Sequence, residues 1–274
     1  MNIIFKYKKL FLLFVFAMLL SANSVGQCYY KNKCFTSGEG VSYNVYYKLG
    51  FLWFNAAEVT FSVKTIIYNN KPAYKYISKG RSLPGYDWIF KVRDYYESIS
   101  DTSQLKSLYF LRNTSEGNYS VNNSYRFDYN KNKIYSTIQN SKTPKYNDTL
   151  TLEKCTYDML TAVYACRNIN FSTLHPNDTI VLKMLVDNKI YNLYLRYLEK
   201  ESVEINDSLS YGCRKFSALM IEGTIFSGGE DLQIWISDDK AKIPVKVVAN
   251  ILIGSVVAKV DKIQGNKITA VEKK

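Results

Sequence analysis

The sequence predicts a mainly β protein, built as a large curved antiparallel sheet of barrel-like or sandwich form with one central helix at about 156–168. Three observations lead there. Apolar and polar residues alternate with period two along much of the chain, turn-forming residues separate the alternating runs, and only one segment carries helical spacing. The 274 residues leave room for one large domain or two modest ones, and 47% hydrophobic with 22% charged residues excludes both a disordered chain and a polytopic membrane protein. Tyrosine is over-used, at 24 residues against 14 Phe and 3 Trp.

Residues 1–26 read as a secretory signal peptide. Lys6, Lys8 and Lys9 precede an uncharged apolar run from Leu10 to Leu20, the charged-then-apolar order of an export signal. That run falls short of the roughly 20 helical residues that cross a bilayer core. Ser24 and Gly26 place cleavage after Gly26, so the mature chain begins at Gln27 and has no transmembrane segment. Gln27 argues against acylation of Cys28, because that position normally takes a small residue. Losing three lysines lowers the formal charge from +12 to +9. In an exported protein this suits anionic envelope surfaces or solubility; no motif supports nucleic-acid binding. The oxidising destination permits disulfides, and Cys28 with Cys34 is the natural local pair. Cys155 and Cys166 would lie about 16 Å apart along a helix, too far to bond, although either could meet Cys213.

Residues 27–274 read as a single β-rich domain, with 141–156 as the place where two lobes would join. Val41, Tyr43, Val45 and Tyr47 alternate with Ser42, Asn44, Tyr46 and Lys48, and Ala57, Val59, Phe61 and Val63 repeat the pattern. Tyr125–Tyr129, Ile180–Val186, Leu193–Tyr197, Leu232–Ile236, Val245–Ile251 and Val256–Val260 follow. Asn69-Asn70, Asn130–Lys133, Asp187–Lys189 and Ser237–Lys240 are the connectors, short enough for hairpins. From Thr156 to Asn168, Met159, Leu160, Val163, Tyr164 and Arg167 fall at three- and four-residue spacings, with Thr156 or Asp158 as cap. This helix should pack on the sheet as a plug or a bridge.

In order, these segments resemble an exported bacterial family catalogued as domain of unknown function 3108, in its Bacteroidetes-type form. The resemblance runs through Gly38-Glu39, Phe90-Lys91-Val92-Arg93-Asp94, Leu108–Arg112 with Glu116-Gly117, and Tyr157-Asp158-Met159-Leu160 with Tyr164 and Arg167-Asn168. It continues in Tyr194-Leu195-Arg196-Tyr197, and is strongest at Ile234-Trp235-Ile236-Ser237-Asp238-Asp239 followed by Ile243-Pro244-Val245. It implies an exported β-rich fold and brings no reaction with it.

Chemistry-bearing patterns are few. The single histidine, His175, has no Gly-x-Ser-x-Gly elbow to serve and cannot build a His-rich metal site. No acidic calcium loop appears, and Gly228-Gly229 lacks the Lys-Ser/Thr of a phosphate loop. No cofactor or metal is expected. Asp94, Glu97, Glu116, Asp238 and Asp239 are the only material for acid–base work. Against that reading, Asp238-Asp239 fits a turn and Arg93-Asp94 a structural ion pair. Trp235 shares its strand face with Gln233 and Ser237, so it should look into a groove or solvent; Tyr46, Trp53 and Tyr194 likewise place aromatics opposite the most apolar face, unless a second layer covers them. Aromatics on a polar face bind sugars or acyl chains, and Arg93, Arg112 and Arg196 would meet an anionic head group. The leading expectation is a non-enzymatic binding protein of a Gram-negative periplasm or cell envelope. Its ligand would be apolar or glycolipid-like, or its partner an envelope protein. The alternatives are a carboxylate hydrolase of envelope polysaccharide and a structural assembly factor.

Overall fold

The computed structural model describes residues 28–207, 209–220, 228–266 and 271–272; the expected signal peptide lies outside them. In chain order the strands are β1 (Gly40–Leu49), β2 (Leu52–Tyr68), β3 (Lys71–Ser82), β4 (Val92–Asp101), β5 (Ser107–Glu116), β6 (Tyr119–Asp128), β7 (Lys133–Asn140) and β8 (Thr143–Thr151). After β9 (Thr156–Tyr157) comes the helix α1 (Met159–Cys166), then β10 (Thr179–Val186), β11 (Lys189–Asn206), β12 (Leu209–Met220), β13 (Gly229–Ser237), β14 (Pro244–Asn250), β15 (Ser255–Gln264) and β16 (Val271–Glu272).

They form one sheet in the order β8-β7-β6-β5-β4-β3-β2-β1-β15-β14-β13-β12-β11-β10-β9, with β16 added beside β12. Every pair is antiparallel except β9 with β10, and the chain bridges that pair through α1, as a parallel connection requires. The Asn69-Asn70 and Asp187-Asn188 turns take positive φ at both residues, the mirror-image turn that matches strand twist. The two sheet edges, β8 and β9, lie on either side of the 152–155 link. They do not pair; instead the sheet coils on itself, and the β10–β11 turn reaches the first half. There Asp187 accepts from Arg112 at 3.0 Å, the Asn188 backbone donates to the Tyr125 hydroxyl at 2.9 Å, and its side chain donates to Asp148 at 2.7 Å.

The inner face carries the larger of two apolar clusters. One register row, Val63, Tyr76, Ser98, Phe110, Tyr125 and Ser136, crosses six adjacent strands, and every member is buried. α1 closes one end as a plug. Tyr164 stacks on Tyr76 at 4.2 Å, and Asp158 caps the helix by accepting from Thr161 N while Ser98 and Thr161 hydroxyls also donate to it. The helix is shorter than its periodicity suggested, because Thr156 and Tyr157 pair with Lys183 and Met184 and are strand. At its other end the buried Arg167 guanidinium meets Glu39 at 2.6 and 2.8 Å and also bonds the Ala241 carbonyl. That pair ties helix, first strand and the β13–β14 turn together.

The Cys28–Cys34 disulfide is corrected to Cys28–Cys155, with Cα atoms 5.2 Å apart. The Asn32 carboxamide accepts from the backbone N–H groups of Cys34 and Phe35, which turns the chain so that Cys34 Sγ donates to the Arg167 carbonyl. Cys28 is left at the link between the sheet edges. Cys34, Cys166 and Cys213 remain thiols. No helix among the described residues is long and apolar enough to cross a membrane.

Candidate functional site at the helix-distal end

Strand direction sorts the loops into two sets. The end opposite α1 carries, side by side along the sheet, the β5–β6 turn, the β3–β4 loop, the β1–β2 hairpin tip and the β14–β15 tip. Moving from the core toward that end, the inner face becomes polar. One row holds Phe61, Ser78, Tyr96, Arg112 and Asn123; the next holds Val59, Gly80, Asp94, Thr114 and Val121; Glu116 follows opposite Val92.

Asp94 and Glu116 are thus diagonal neighbours on adjacent strands, within reach of Arg112. Burial, then the Glu116 charge, push the Asp94 carboxyl up to about 6, against the pull of Arg112 and the Ser115 backbone N–H. Its Oδ1 is buried and has no hydrogen-bond partner among the described residues. Arg112 lies 3.0 Å from Asp187 and 3.9 Å from Glu116.

The loops around this cluster expose large apolar side chains: Phe51 at 90%, Trp88 at 82%, Ile253 at 68%, with Leu49, Leu52, Trp53, Ile89, Phe90, Tyr119 and Leu252. Elsewhere among the described residues such exposure is confined to Ile67, Tyr146, Val163 and Val181, which are scattered. Gly117 shapes the rim: its φ is +58°, and a Cβ there would stand 2.9 Å from the Phe90 ring.

The seven expected binding residues do not converge. Trp235 sits in an outer-face row between Lys215 and Lys246, whose ammoniums lie 5.2 and 4.4 Å from the ring. Its Nε1 donates to Glu201 at 2.9 Å and it is 4% exposed, packed in a second apolar cluster with Val203, Tyr211, Cys213, Ile243 and Val245, so the expected groove or solvent position is corrected to a covered face. Tyr46 and Trp53 touch edge-to-face on the outer face near the rim, with Lys48 over Trp53. Tyr194 and Arg196 both donate to Glu230, which also accepts from Ser217. Arg93 pairs with Asp87 rather than with Asp94, which points to the other face. Only Arg112 shares the inner face with Asp94.

The remaining motif residues are structural. Glu39, Asp158 and Arg167 hold the helix. In the β13–β14 turn, Asp239 accepts from Ser237 Oγ and from the Ala241 and Lys242 N–H groups; Asp238 pairs with Arg214 and Lys200, as a turn reading anticipates. Pro244 accepts from the Tyr43 hydroxyl at 2.8 Å. Glu97 bonds Lys75 and Tyr95. Of the five candidate carboxylates, Asp94 and Glu116 alone share a site. The rim itself escaped the sequence reading; apolar residues at turn positions, in Gly50-Phe51, Trp88-Ile89-Phe90 and Leu252-Ile253-Gly254, were its signal.

No curated protein matches the sequence. Among solved structures the fold is similar to the crystal structure of a beta-barrel-like protein of domain of unknown function DUF1849 from Brucella abortus, with a TM-score of 0.54 and 9% identity over 85% of this chain and 100% of that one. At that identity the likeness concerns the fold alone. The family described as "Protein of unknown function (DUF3108)" matches residues 42–261, nearly all of the β sheet, and the chain belongs to it.

Proposed function

We propose that this is an exported envelope protein that binds an amphiphilic, apolar or glycolipid-like ligand, without catalysis, at the helix-distal end of its sheet. One observation carries the reading: the exposed large apolar side chains gather on neighbouring loops at one end, around a charged inner-face cluster, while the opposite end is plugged by α1. Contiguous apolar surface of this kind marks an interaction site. Acyl chains would lie against Phe51, Trp88 and Phe90, and a polar head would meet Arg112, Glu116 and Asp94. Mass spectrometry of protein purified from its native envelope tests this: an amphiphile that co-purifies with the wild type and is lost from a Phe51→Ser/Phe90→Ser variant is expected. Protein that carries none and takes none from envelope lipid extracts overturns the proposal.

The Asp94–Glu116 pair favours a second reading, a carboxylate hydrolase of envelope polysaccharide, in which Asp94, held near 6, gives up a proton and Glu116 is the second carboxylate. Release of reducing ends that disappears in Asp94→Asn would support it; a wild type with no such release refutes it.

A further inference from the structure

We propose that the helix-distal rim docks on an anionic lipid surface, with its loop tips entering the interface; this deepens the amphiphile-binding reading and rests on the same rim. The tips form one contiguous edge. Tyr47 Oη donates to the Ile253 carbonyl at 2.9 Å, and the β14–β15 turn lies so close to β1 that a Cβ on Gly254 would stand 2.3 Å from the Lys48 carbonyl oxygen. Leu252 and Ile253 therefore flank Phe51, and Trp88, Ile89 and Phe90 follow on the loop that leaves β3. Aromatic and aliphatic side chains on separate tips suit the disordered, half-wet boundary of a bilayer, where Trp is favoured.

Charge selects the occupant. At this end Asp87 is held by Arg93 and Glu230 by Arg196, while Arg112 is shared between Asp187 at 3.0 Å and Glu116 at 3.9 Å. Lys48 and the exposed Lys91, beside the apolar tips, have no ion pair among the described residues. Below them on the outer face Lys246 and Lys259 are register partners. This cation belt beneath an apolar crest is the pattern that adds anionic-lipid attraction to apolar insertion. Docking between two copies would instead bring identical lysines together.

Tryptophan makes the test site-specific, because Trp235 is buried while Trp53 and Trp88 are exposed. In a Trp53→Phe background, emission from Trp88 reports the rim alone, whatever the N-terminal segment does. The probe is phosphatidylglycerol/phosphatidylethanolamine vesicles, with brominated acyl chains for the quenching arm and phosphatidylcholine vesicles as control. The expected result is a blue shift and quenching on the anionic vesicles, partition roughly fivefold weaker after Lys91→Gln and roughly tenfold or more weaker after Ile89→Ser/Phe90→Ser. Circular dichroism confirms that the variants fold. Trp88 emission that ignores both vesicle types, or that shifts only with protein concentration as copies associate, overturns the proposal. Docking without a co-purified amphiphile would leave the rim–lipid contact standing and remove only the carrier reading.

Discussion

Replacing Asp94 by Asn should make the protein more stable at neutral pH, although it deletes a charge beside Arg112. The carboxyl titrates near 6 in the folded chain against an ordinary value of 3.8, mainly through burial and the Glu116 charge. Between about pH 4 and 6 the folded state therefore binds more protons than the unfolded one, and stability falls as pH rises through that window. Below it both states are protonated and the penalty is absent; above it the penalty is complete. A shift of about two pH units corresponds to about 3 kcal/mol. Because the residue is only partly buried, solvent screening trims this to about 1–2 kcal/mol. Urea melts of wild type and Asp94→Asn at a series of pH values isolate Asp94 together with its coupling to Glu116, since titrations not coupled to Asp94 cancel in the difference. The difference should be near zero at about pH 4 and reach about 1–2 kcal/mol in favour of Asn above about pH 6.5. A difference independent of pH, or an Asn variant weaker at neutral pH, would refute the reasoning.

Three further outcomes are expected. Glu39→Gln, or Arg167→Met alone, should cost about 3–5 kcal/mol in chemical denaturation by stranding a buried charge or its partners, and the Glu39→Leu/Arg167→Met double variant should recover a large share of it. Cys28→Ser/Cys155→Ser opens a link that spans 127 residues and should lower stability by about 2–5 kcal/mol, an effect that reductant reproduces in the wild type and not in the variant. Gly117→Ala should cost about 1–2 kcal/mol, measured by thermal melting; Phe90→Ala in that background relieves the contact but not the positive φ, so it restores only part.

The sequence revealed architecture where local physics is strong. Alternation located β1, β2 and β10 and parts of β6, β11 and β13–β15, because each has one face on a core and the other less covered. It passed over β3, β4, β5, β7, β8 and β12; in β7 and β8, Ser136 is buried on the inner row while most of β8 is exposed, so hydropathy carries little phase. It overextended α1, since Thr156-Tyr157 satisfy their backbone in a parallel bridge that no local signal encodes. Long-range pairings were the blind spot. Cys28 reaches Cys155 because the coiling of the sheet decides who meets whom, whereas Arg93 turns to Asp87 through the local path of the β3–β4 loop. Trp235 illustrates the limit of face assignment: its strand phase puts it with polar residues, but a second apolar cluster built from β11, β12 and the β13–β14 segment covers that face and buries it. The rim was hidden because apolar residues in turns are usually read as noise.

The most direct test of the helix-distal rim as the working surface is photo-cross-linking in intact cells with a benzophenone side chain at position 88 and, as control, at the exposed Val163 on α1. Lipid or glycolipid adducts from position 88 and none from 163 are the expected result; equal labelling at both positions, or adducts from 163 alone, would contradict it.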